Sequence, residues 1–97
     1  MTWAKGQDII DELVGLRRLQ RVTASRESAE RLLDDARRHL VSAHVLATDD
    51  PQGAYTLVYD AARKALAAVL EAQGLRATAT GGHVVLQDAM EAQFEPP

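Results

Sequence analysis

The sequence predicts an all-α protein, an up-and-down four-helix bundle, and three observations carry that expectation. Apolar residues recur at helical rather than alternating spacing, the composition is rich in Ala, Leu, Arg, Glu and Gln with only 4% aromatics, and start and stop signals cut the chain into segments. Helices are expected over roughly 7–21, 26–47, 51–73 and 82–94, joined by loops short enough to make neighbours antiparallel. Ninety-seven residues make one domain, 1–97, with a thin core, because a chain this short removes only about 60–65% of its extended surface from water.

The first helix is read from Ile9, Ile10, Leu13, Leu16 and Leu19, with Gly15 inside it small enough to permit a close crossing. Ser25 is the expected cap of the second, whose apolar stripe is Ala29, Leu32, Leu33, Ala36, Leu40, Ala43 and Ala47. Glu27 with Arg31 and Asp34 with Arg38 stand four apart, worth about 0.2–0.5 kcal/mol each on an exposed face. The third helix carries the clearest punctuation. Asp50 is an N-cap, Pro51 suits the first helical position because its missing N–H would be unpaired there, and Gly74 supplies the stop. Leu57, Val58, Leu66, Val69 and Leu70 are its bulky core candidates, Asp60 is set to pair with Arg63 or Lys64, and Ala61, Ala62, Ala65 and Ala68 favour close packing on more than one side. Residues 75–80 show no periodicity and read as an ordered loop. A last helix uses Val84, Val85, Leu86, Ala89, Met90 and Phe94, and Leu86, Met90 and Phe94 fit burial within one chain, in a dimer, or against a further segment. The abrupt end at Pro96-Pro97, two residues after the apolar Phe94, is what a chain lacking a C-terminal helix would show.

Net charge is −3, but residues 1–48 hold eight basic and seven acidic side chains against three and seven in 49–97. Arg17, Arg18, Arg21, Arg26, Arg31, Arg37 and Arg38 alternate with carboxylates from Glu27 onward, the pattern of a solvated, ion-paired face rather than a phosphate-binding one. The absence of cysteine excludes disulfides and thiolate metal sites, and no apolar run is long enough for a signal peptide or a membrane span, so a cytoplasmic protein is expected.

No metal or other cofactor is expected: His39 and His44 are five apart, not the four that would align two ligands, and Glu-x-x-His is absent. His44 beside the Leu40 and Ala47 stripe reads as a packed histidine. Ser25, Ser28 and Ser42 lack the strand–turn–helix setting of a nucleophile. Arg76 with Gly81, Gly82 and His83 is the one anion-site candidate, a glycine loop entering a helix whose unpaired N–H groups attract phosphate. Tyr55 and Tyr59 share a helix face with the spacing to stack bases, but without adjoining cations they are expected as core-edge tyrosines, and with Arg63 they are the candidate interface.

The run Gly53-Ala54-Tyr55, then Val58-Tyr59-Asp60-Ala61-Ala62-Arg63-Lys64-Ala65-Leu66, then Gln73-Gly74-Leu75-Arg76 and Gly81-Gly82-His83-Val84, resembles the HEPN domains, the higher eukaryotes and prokaryotes nucleotide-binding family. The similarity covers residues 25–94 and looks closest to a bacterial subgroup of stand-alone HEPN-like proteins; the arginine and alanine content suits a GC-rich bacterial source. The resemblance implies a helical bundle that often dimerises and acts as a metal-independent RNase, as a toxin of toxin–antitoxin pairs, or as a non-catalytic partner of nucleotidyltransferases. The RNase signature of that family, Arg-x(4–6)-His on a late helix, commonly begins Arg-Asn. Arg76 and His83 have the spacing but belong to the loop that leads into the last helix and lack the asparagine, so no catalytic role is carried over to them. The expectation is an interaction module that self-associates or binds a partner protein, with nucleotide or RNA as a related ligand. RNase or toxin activity is the alternative.

Overall fold

The computed structural model describes residues 5–79 and 82–94. Its element order is α1 (Gln7–Gly15), β1 (Leu19–Arg21), α2 (Arg26–Leu46), α3 (Pro51–Ala72), β2 (Leu75–Ala77) and α4 (Gly82–Phe94). The chain is mostly helical, as expected, but a two-stranded antiparallel sheet is added, pairing Leu19 with Ala77 and Arg21 with Leu75.

The caps of the long helices are those the sequence predicts. Ser25 Oγ accepts from the Ser28 amide at 3.0 Å and Asp50 Oδ1 from the Gly53 amide at 3.0 Å, each satisfying one orphan N–H of a first turn. Gly74 ends α3 in the left-handed region, φ 79°, with Val22 O only 2.7 Å from where a Cβ would stand. Its carbonyl accepts from the Val22 amide, and the Glu71 carbonyl accepts from the Ser25 amide, so the end of α3 is stitched to the segment that joins β1 to α2.

Three expectations are corrected. The first helix stops at Gly15, not at 21: Arg17 takes φ 60°, its amide bonds Val14 O, and the Arg18 amide reaches back to Leu13 O, the paired bonds of a Schellman stop. An arginine at a position usually held by glycine hides this stop. Gly15 itself has open space where a side chain would be, so it makes no close crossing. Residues 75–77, read as loop, are β2, and the Arg18 carbonyl accepts from the Thr78 amide to continue the pairing.

The packing divides into two regions. At the base, Ile10, Leu13, Leu19, Leu70, Leu75, Val85, Leu86, Ala89 and Met90 form one buried cluster drawn from α1, the sheet, α4 and the last turns of α3. Reciprocal amide bonds between Gln73 and Gln93 (3.0 and 2.6 Å) tie α4 to α3 there. The α2–α3 hairpin extends from this base, giving the molecule its 45 × 28 × 24 Å dimensions. Its seam is alanine at sevenfold spacing: Ala29, Ala36 and Ala43 on α2, and Ala54, Ala61 and Ala68 on α3, all buried. Each methyl contributes only about 1 kcal/mol, against about 1.5–3 for a buried leucine, so the hairpin is close-packed yet gains most of its support from the base.

The arginine-rich face of α2 is ion-paired, as read: Arg26 with Glu30, Arg31 with Glu27, Arg37 with Asp34 and Arg38 with Asp35, while Arg21 pairs with Asp11 on α1. The Asp34–Arg38 pair expected at four residues is replaced by two pairs at three.

Candidate functional site

The sequence-predicted residues separate into two places. Arg76 lies in β2 with its guanidinium on the buried Glu71 carboxylate, at 2.6 Å from Nη2 and 3.4 Å from Nε. That hydrogen bond, and then the charge of Glu71, hold the Arg76 pKa above its ordinary value, while desolvation opposes them weakly. The side chain offered as an anion ligand is thus engaged by an anion of its own chain. Gly82 and His83 open α4. Gly81 and the His83 side chain lie outside the described residues. Among the described residues no three histidine, aspartate or glutamate side chains converge as a metal site.

Tyr55, Tyr59 and Arg63 fall on one side of α3, as their spacing requires, but the tyrosines are not at a core edge. Tyr55 is 71% exposed and Tyr59 47%. Val58 and Leu40, expected in the core, are about half-exposed, and His44, expected to be packed, is exposed. The physical reason is the alanine seam. Once Ala43 and Ala54 bring the helices together, the bulky residues flanking them are turned outward along the groove edges. Leu40 and His44 of α2, Ala47 at its C-terminal cap, and Pro51, Tyr55 and Val58 of α3 line a shallow groove over those two alanines.

Toward the base the same side of α3 meets α4. Tyr59, Ala62, Arg63 and Leu66 with Leu86 and Gln87 line a cleft of about 140 Å³, below the ~300 Å³ at which small-molecule pockets begin. Arg63 Nε is buried there without a hydrogen-bond partner, its nearest carboxylate, Asp60, standing at 3.8 Å. Lys64 is turned to the opposite edge of the hairpin, where its Nζ is 2.8 Å from His39 Nε2 and 3.7 Å from Asp35 Oδ2.

Sequence reasoning missed Leu40, Val41, Val45 and Val58 as surface residues, although a signal existed. Residues 26–38 contain eight charged side chains, whereas 39–48 and 51–59 contain none. Six of the nine large hydrophobic side chains exposed among the described residues stand in this uncharged distal half: Leu40, Val41, Val45, Tyr55, Val58 and Tyr59. Such a surface offers phosphate no cation and offers an apolar protein surface a desolvated face. Among the described residues no helix is long and apolar enough to cross a membrane.

In comparison with known proteins the chain matches no family model, and no curated protein or solved structure is similar to it at a significant level.

Proposed function

We propose that this chain is a HEPN-like, cytoplasmic helical interaction module that self-associates or docks on a partner protein, and that its working surface is the distal half of the α2–α3 hairpin. The observation that carries the reading is the uncharged stretch of residues 39–48 and 51–59, with its exposed large apolar side chains, on a helical arm whose proximal half, 26–38, is ion-paired. A contiguous apolar surface on a stable arm costs solubility unless something covers it. In this reading the four helices are an up-and-down bundle whose hairpin is left for a partner to complete.

The nuclease alternative draws less support. An arginine that stabilises a phosphorane has to present its guanidinium to the scissile phosphate, and Arg76 presents it to Glu71. Base stacking on Tyr55 and Tyr59 would have one neighbouring cation, Arg63, beside Asp60 and with its Nε buried, where a stacking platform needs a basic groove.

Solution mass by light scattering across a concentration series, with and without a structured RNA, tests this reading, with the RNA recovered and sized afterwards. The expected result is a mass above the monomer that is indifferent to RNA, and intact RNA. A monomer that binds or cleaves the RNA would contradict it.

A further inference from the structure

We infer that a groove between α1 and α4, on the outer face of the base, is a docking site for a basic amphipathic helix of another protein. This surface is separate from the distal arm, and the inference does not depend on the reading of that arm.

The groove is an apolar trough. Ile9, Leu13 and Leu16 run along α1 at i, i+4 and i+7, a stripe two turns or about 10 Å long. Leu13 is buried, whereas Ile9 is 43% and Leu16 55% exposed, the two ends of the stripe standing open to solvent. Ala92 of α4 lines the other wall. Gly6, at the start of α1, sits so tightly on Ala92 that a Cβ would collide with its backbone, which holds the two helices in place and preforms the trough. Its volume is about 490 Å³, against about 140 Å³ for the cleft beside Arg63.

Charge identifies the occupant. Glu12, Asp88 and Glu91 line the trough, with Arg18 as the one cation among the lining residues. Elsewhere carboxylates are engaged: every one on α2 is ion-paired, Asp60 and Glu71 face arginines, and Asp50 caps α3. Glu12, Asp88 and Glu91 make neither an ion pair nor a side-chain hydrogen bond among the described residues, and Asp8, one turn before Glu12, makes none either. Asp8 with Glu12 and Asp88 with Glu91 are like-charge neighbours one turn apart, each mildly destabilising to its own helix until a cation lies between them.

This rim repels phosphate and nucleic acid. The complementary chemistry is an apolar helix face about two turns long, flanked by lysine or arginine, laid into the trough. A second copy has no such face to offer from its arginine-rich helix, because each arginine of α2 is already paired with a carboxylate of the same helix. The apolar contact is small, so the charges supply much of the affinity and binding weakens as salt screens them.

The probe is a fluorescein-labelled synthetic helix of about four turns, with leucines at i, i+3, i+4 and i+7 on one face and lysines flanking them, titrated with the intact chain and read by fluorescence anisotropy. The lysine helix should bind saturably and less tightly at higher salt, and the same helix with glutamate at every lysine should not bind. Glu91→Lys should weaken binding by roughly 10-fold or more with unchanged helical circular dichroism, since Glu91 is exposed. Asp49→Lys makes the same change of net charge at the far end of the arm and should alter binding by less than about twofold. Equal losses from the two lysine variants would show attraction to net charge alone and overturn the inference, as would failure of the lysine helix to bind or equal binding of the glutamate helix. A loss caused by Tyr55→Ser but not by Glu91→Lys would place the helix on the arm, which overturns this inference and leaves the reading of the arm standing.

Discussion

The base and the distal arm of this molecule are built from opposite arrangements of the same residue types. At the base, large aliphatic side chains point inward from five elements, and Leu70 has no exposed surface at all. In the arm, alanines point inward and the large side chains point out, with Tyr55 at 71% exposure. Burial of apolar area is the main stabilising term in folding, so the base holds the fold and the arm presents the surface.

Core truncation should produce the largest separation between the two. Leu70→Ala is expected to lose about 2–5 kcal/mol in urea unfolding, a large part of the stability of a domain this size, because it leaves a cavity in the base. Tyr55→Ser should lie within about 0.5 kcal/mol of wild type under monomeric conditions, since its side chain stands in solvent. If Tyr55→Ser destabilises as strongly as Leu70→Ala, the division into base and arm is wrong.

The seam gives the next effect. Ala61→Leu forces a larger side chain into a buried heptad position and is expected to cost about 1–3 kcal/mol and to splay the hairpin, read by thermal melting and by loss of amide protection along α2. Gly74→Ala should cost about 1 kcal/mol or more, because φ is 79° and the new methyl would meet Val22 O. Removing the cap with Asp50→Ala should cost about 1 kcal/mol, and its effect should be confined to the start of α3.

The smallest expected effect is a flat one. Glu71 raises the Arg76 pKa, so the contribution of that pair is complete below the ordinary arginine range and is lost only as pH rises through the higher folded value, far into alkali. The stability difference between wild type and Arg76→Gln should therefore not change on Arg76's account between pH 6 and pH 9. A gap that widens or closes steadily over that window would show another titrating partner at the base.

Much of the fold was legible because its signals are local. Ser25, Asp50-Pro51 and Gly74 each act through their own backbone neighbours, and each stands where the sequence places it. The sheet was not legible, because three-residue strands carry no period and Leu19 finds Ala77 only after the intervening hairpin has formed. The end of α1 was hidden by an arginine in a left-handed position. For the surface, periodicity identified Tyr55 and Tyr59 as neighbours on one apolar face but did not say whether anything in the chain covers that face. The alanines at 43, 54 and 61 decided it, by taking the seam for themselves.

Hydrogen exchange of the intact chain at low and high protein concentration tests the central claim most directly, because it reads base and arm in one experiment. The account predicts that amides in 39–48 and 51–66 become more slowly exchanging as concentration rises, while those of α1, the sheet and the end of α3 do not change. Concentration-independent exchange throughout, or slowing confined to the base, would contradict it.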